Sequence, residues 1–90
     1  ERVVYEHEAV LEAAVVASPH PKWNEVPAAY VVLAPGTAAS EEELIGFCAE
    51  RLAKYKVPKA VRFIDVLPRN PSGKVLKREL RDREFGDVSG

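Results

Sequence analysis

The stretch from Leu67 to Arg81, Leu-Pro-Arg-Asn-Pro-Ser-Gly-Lys-Val-Leu-Lys-Arg-Glu-Leu-Arg, constrains this chain more tightly than any other segment. Pro68 and Pro71 restrict the backbone, and Gly73 reaches φ values that other residues avoid. No helix or strand passes through such a run, so the chain must turn between Pro68 and Lys74. A helix is expected to follow, from about Val75 to Glu84, with Leu76 and Leu80 four residues apart to anchor it. Lys74 is thereby displayed at the tip of a short, stiffened loop. Its ammonium is a compact charge on a flexible stem, suited to insertion into a site on another body. The segment is not a nucleotide-binding P-loop. That loop needs Gly five residues before Gly73 and Ser or Thr after Lys74, and here Pro68 and Val75 stand there.

Periodicity outlines the remaining elements. Glu1 to Glu8 reads as a helix with Val3, Val4 and His7 at helical spacing. Val10 to Ala17 reads as a strand, Ser18 to Val26 as a loop on the strength of Pro19, Pro21 and Asn24, and Pro27 to Leu33 as a second strand pairing antiparallel with the first. After the Pro35-Gly36 turn, Ser40 and Glu43 form a capping box. Glu41, Glu42 and Glu43 lie at the positive end of the helix dipole and Arg51 and Lys54 near the negative end. Leu44, Phe47, Cys48 and Leu52 mark the buried face. Pro58 closes that segment, and Ala60 to Val66 alternates as a third strand. The expected fold is α+β, a small three-stranded sheet covered by helices.

Composition narrows the function. Ninety residues make one small domain, 47% hydrophobic and 30% charged, as in an ordinary globular protein. A net charge of −1 argues against a general polyanion binder, although Lys74, Lys77, Arg78, Arg81 and Arg83 cluster near the end. No apolar run spans a membrane and no signal peptide is visible, so the expected compartment is the cytoplasm. The lone Cys48 excludes an internal disulfide and reads as a core thiol, and His7 and His20 lack metal-ligand spacing, so no metal site is expected. The lack of methionine and the start inside a helical pattern suggest a piece of a longer polypeptide.

The Leu67 to Arg81 stretch resembles the lysine motif near the C-terminus of adenylate-forming enzymes: Leu-Pro-Arg, a short turn, Ser-Gly-Lys, a hydrophobic pair and a basic helix. The resemblance extends along the chain. Tyr5 to Val10 resembles the helix after the interdomain hinge in acyl-CoA synthetases, and Glu12 to Val16 their first C-terminal strand. Lys22-Trp23-Asn24-Glu25-Val26-Pro27 resembles the connecting loop, and Lys54-Tyr55-Lys56-Val57-Pro58 the end of the central helix. The family's loop usually reads Trp-Gly-Glu. Asn24 replaces that glycine, and Asn tolerates the left-handed region well enough to keep the backbone shape.

The resemblance implies a C-terminal lid domain over residues 1–84, with a tail at 85–90 and the large ATP- and acid-binding N-terminal domain upstream. It is closest to the fatty-acid and aryl acyl-CoA ligases. It implies two half-reactions: a carboxylate attacks the α-phosphate of ATP to give acyl-adenylate and pyrophosphate, and CoA then displaces AMP. Lys74 would be the catalytic lysine of the first half, and ATP with Mg would bind the N-terminal domain. Arg69, Lys54 and Lys56 are candidate phosphate or CoA contacts, set against the plainer reading of solvated surface cations. Exposed on its turn, Lys74 would also be open to a lysine acetyltransferase, and acetylation would silence adenylation. The isolated domain is expected to be inactive. A carrier-protein-loading adenylation domain is the nearest alternative. A non-enzymatic module binding RNA or protein is a further one, disfavoured by the near-neutral charge and the lack of interleaved aromatics.

Overall fold

The computed structural model describes residues 2–85. The elements are α1 (Arg2–Tyr5), β1 (Val10–His20), β2 (Asn24–Leu33), α2 (Glu41–Ala49), a single 3-10 turn (Lys54–Lys56), β3 (Ala60–Phe63) and α3 (Lys77–Glu84). The expected α+β architecture is present, with sheet order β1-β2-β3. β1 and β2 are antiparallel, whereas β3 runs parallel to β2, because α2 carries the chain across one face between them.

The largest departure from the sequence reading is the segment 18–26. The pairs Ser18↔Val26, Pro19↔Glu25 and His20↔Asn24 continue the β1–β2 ladder, leaving only Pro21 to Trp23 as the turn. Prolines misled the reading because they lack a donor. Pro19 lies on an edge strand, and Pro27 precedes Ala28, where β2 begins to pair with β3. Neither position requires a central ladder donor. The other differences are at element ends: α1 stops at Tyr5, α2 stops at Ala49 ahead of Arg51, Leu52 and Lys54, β3 stops at Phe63, and α3 starts at Lys77.

β2 is buried on both faces: Ala28, Ala29 and Val31 are fully covered. On one face Val4, Ala13, Val31, Leu44, Cys48 and Val61 pack together beneath α1 and α2. On the other, Ala14, Val16, Tyr30, Val32, Leu67 and Leu80 pack beneath α3. Ser40 caps α2 as expected, accepting from the Glu43 amide at 3.0 Å. The Glu43 carboxylate meets His7 Nε2 at 2.9 Å, joining α2 to the segment after α1. Arg51 donates to the Phe47 carbonyl at 2.9 Å and so caps the other end.

Glu84 locks α3 onto the sheet, which the sequence reading did not foresee. Its side chain is 2% exposed. It accepts two bonds from Arg62, at 2.6 and 2.9 Å, one from Ser18 at 2.8 Å and one from the Tyr30 hydroxyl. Burial pushes the Glu84 carboxyl up, but these bonds and the Arg62 charge outweigh it and hold it at about 2, against an ordinary 4.5. Burial and the Glu84 carboxylate raise Tyr30 to about 12. A carboxyl with a depressed pKa stabilises the fold above its unfolded pKa, and that contribution fades as pH falls through the folded value. Acid should therefore weaken the domain between about pH 4.5 and 2. Thermal melts at neutral and acid pH should show this loss, and Glu84→Gln should remove much of it. An acid dependence unaltered by Glu84→Gln would contradict the assignment.

Candidate functional site

Lys74 sits on a turn whose shape is imposed by one side chain. The Asn70 carboxamide oxygen accepts from the Ser72 amide, the Ser72 hydroxyl and the Lys74 amide, each at 3.0 Å. An Asn side chain used in this way substitutes for backbone acceptors and closes a turn locally. Two backbone bonds tighten it, Gly73 N to Asn70 O and Asn70 N to Lys74 O, both 2.9 Å. Gly73 adopts φ +88°, a left-handed conformation that most side chains disfavour. A bridge between Arg69 and Val75 and a 2.8 Å bond from Leu76 N to Pro68 O close the base. Leu67 and Leu80, both buried, then pin the two flanks to the sheet.

Lys74 itself is exposed, and its ammonium has no hydrogen-bond or ion-pair partner among the described residues. A backbone this ordered carrying a free cation can deliver charge without first breaking an internal bond. Arg69, a candidate phosphate contact, is used within the domain: it donates to the Gly73 carbonyl at 2.7 Å and pairs with Glu12. Asn70, given no role of its own in the sequence analysis, is what shapes the turn. Its position two before Ser72, at the head of a Pro-Ser-Gly turn, was the available signal.

A second feature lies near the β1–β2 turn. Trp23, Tyr55, Lys54, Lys59, Glu25 and Pro27 line an open groove of about 400 Å³. Trp23 and Tyr55 are 53% and 75% exposed, unusual for rings of this size. His20 stacks on Trp23 at 4.5 Å, and the Lys22 and Lys59 ammoniums lie 5.2 and 5.4 Å from the Trp23 ring. Asn24, next to Trp23, has φ +65°, the left-handed conformation inferred from the family's glycine. Lys54 faces this groove. Lys56 borders an adjoining one with Pro27, Tyr55 and Pro58, its ammonium 5.8 Å from the Tyr55 ring. The structure thus groups Lys54 and Lys56 around Tyr55 and places Arg69 with Lys74. Cys48 is buried, and burial raises its thiol, so its thiolate is disfavoured.

Residues 1–74 match the sequence profile of the AMP-binding enzyme C-terminal domain, a match ending on Lys74. The chain belongs to this family. It is 54% identical over 81 residues to a 2-succinylbenzoate–CoA ligase of Bacillus cereus, covering 90% of this chain and 16% of the ligase. It is 49% identical over 87 residues to the fatty acid–acyl-carrier-protein ligase ScoC of Streptomyces coeruleorubidus, covering 97% and 17%. Among solved structures, ATP-bound MatB of Rhodopseudomonas palustris superposes with a TM-score of 0.91 at 36% identity, covering 97% of this chain and 17% of MatB. The chain therefore spans about one-sixth of the length of these ligases. Among the described residues no helix is long and apolar enough to cross a membrane.

The turn's dependence on Asn70 is testable in this AMP-binding C-terminal domain. Asn70→Ala removes the shared acceptor of three donors and should cost about 1–2 kcal/mol. Asn70→Asp keeps the acceptor and should cost less. Denaturant titration separates the two, and equal stability of Asn70→Ala and wild type would refute the role.

Proposed function

We propose that this chain is the mobile C-terminal lid, residues 1–84, of an ATP-dependent acyl-CoA synthetase, and that Lys74 is the catalytic lysine of its adenylation step; the tail expected at 85–90 lies, beyond residue 85, outside the described residues. The supporting observation is the free ammonium of Lys74 on a braced turn, in a family of AMP-binding enzymes. In the first half-reaction a carboxylate oxygen attacks the α-phosphorus of ATP, the bond to the β-phosphate oxygen breaks, and pyrophosphate leaves with that electron pair. Negative charge accumulates on the α-phosphoryl oxygens and the leaving group. A preorganised cation aimed there lowers the barrier, typically by about 3–4 kcal/mol for one donor. Lys74 supplies that cation and gives up no proton.

In the second half-reaction a thiolate attacks the acyl carbon and AMP departs. Lys74 has no part in this step, so a domain that turns between the halves can withdraw it and present another face. The Trp23–Tyr55 groove suits the adenine nucleotide of CoA: the rings offer stacking surfaces, and Lys54 and Lys59 offer phosphate contacts. Lys56, beside Tyr55, extends this basic rim. In this reading ATP and its Mg are held by the N-terminal domain. The likeness to ScoC favours one further reading, in which the acceptor thiol is carried on an acyl-carrier protein. Comparing CoA with a loaded carrier protein as acceptor decides between them.

The full-length enzyme provides the test. Lys74→Ala should reduce acyl-adenylate formation and its reverse by at least about a hundredfold, while sparing thioester formation from supplied acyl-adenylate. Acetyl-lysine at Lys74, placed by an acetyltransferase or by synthesis, removes the same charge and should act alike without lowering the melting temperature. Pre-steady-state pyrophosphate release and thioester formation measure the halves separately. Equal losses in both would mean that Lys74 holds the domain in place and does not serve one transition state.

A further inference from the structure

A chain of polar contacts ties the Lys74 turn to β1. The β1–β2 register shifts between Val10 and Glu12. Such a bulge re-aims the side chains beside it. The Glu12 carboxylate accepts from one terminal nitrogen of Arg69, across 57 residues of sequence. The other terminal nitrogen of Arg69 donates to the Gly73 carbonyl at 2.7 Å. That carbonyl belongs to the peptide bond whose nitrogen is that of Lys74. One guanidinium therefore connects a sheet residue to the peptide plane from which Lys74 emerges.

The geometry of this chain is demanding. A guanidinium presents its donors in a fixed planar fork, so holding one arm on Glu12 orients the other toward Gly73. Glu12 and Arg69 side chains are 26% and 38% exposed, so water screens the pair only in part. Without the carboxylate, Arg69 gains rotamers, and the Gly73 carbonyl loses its oriented donor. Asn70 braces the turn from within, whereas Glu12 contacts it from outside through Arg69.

We propose that Glu12, outside the lysine motif, is a positioning residue for adenylation: acting through Arg69, it fixes the direction in which Lys74 leaves the domain. This rests on the reading of Lys74 as the adenylation lysine. A misplacement of about 1 Å costs a reacting group on the order of a hundredfold in rate. Only the half-reaction that uses Lys74 should register the loss.

Full-length enzyme carrying Glu12→Gln, Arg69→Gln, Arg69→Lys, the Glu12→Gln/Arg69→Gln pair, or Lys74→Ala tests this. Glu12→Gln is expected to lower the adenylation kcat by about tenfold or more, with KM for acid and ATP little changed. Thioester formation from supplied acyl-adenylate and the melting temperature should remain near wild type. Arg69→Lys, which keeps the charge but not the fork, should show the same selective loss. The double variant should be no worse than Arg69→Gln alone, because both residues act in one chain. Normal adenylation in Glu12→Gln beside a severe defect in Lys74→Ala overturns the positioning role alone. Equal loss in both half-reactions overturns it in favour of a structural role. Normal adenylation in Lys74→Ala overturns the underlying reading of the lysine, and this inference with it.

Discussion

Burial of β2 on both faces is the constraint from which the rest of the domain follows. Ala28, Ala29, Tyr30, Val31 and Val32 are each 6% exposed or less. A strand of this kind needs cover above and below. α1 and α2 supply it on one side, and α3 with Leu67 on the other. Because α3 must lie against the sheet, the chain arriving from β3 has to reverse immediately before it. The Pro68 to Lys74 turn is that reversal. The lysine is therefore attached to the rigid centre of the domain through Leu67 on one flank and Leu80 on the other.

Three polar devices refine this hydrophobic plan. Glu84 fastens the far end of α3 to Ser18, Tyr30 and Arg62, making a buried charge tolerable by giving each carboxylate oxygen partners. Asn70 closes the turn at the near end of the helix. Arg69 and Glu12 tie the turn back to β1. Together they fix the backbone that carries Lys74, whose ammonium has no partner among the described residues, as the proposed role in phosphoryl chemistry requires. The Trp23–Tyr55 groove, built from the β1–β2 turn and the 3-10 turn, is the surface proposed above for the CoA nucleotide. Two distinct surfaces are what the proposed turning of the domain between half-reactions calls for.

Local features were the legible part of the sequence. The Ser40 cap, the three strands, the α3 anchor Leu80 and the exposed Lys74 all follow from spacing and turn chemistry, and the structure shows each. The positive φ of Asn24 was likewise readable from its place in a loop that usually carries glycine. Long-range pairing was not legible. Nothing local to Glu84 distinguishes it from the other acidic residues of a charged helix, because its partners lie on all three strands. Glu12 reads as a polar residue in an apolar strand until the fold brings Arg69 to it. The Ser18 to Val26 segment, a loop only at Pro21 to Trp23, departs from the expectation for the opposite reason. Proline signals a loop locally, and only the strand order shows that its missing donors face no central neighbour.

Lys74 combines a free side chain with a fixed backbone. Nitrogen-15 relaxation on this 90-residue chain measures both at once, through the backbone amides of residues 70–75 and the Lys74 ammonium. Backbone order parameters near the ~0.85 of rigid structure are expected for these amides, with a disordered ammonium. Backbone values below ~0.6, matching a flexible loop, would contradict this expectation. So would an ordered ammonium, which would show that Lys74 is already held within the domain.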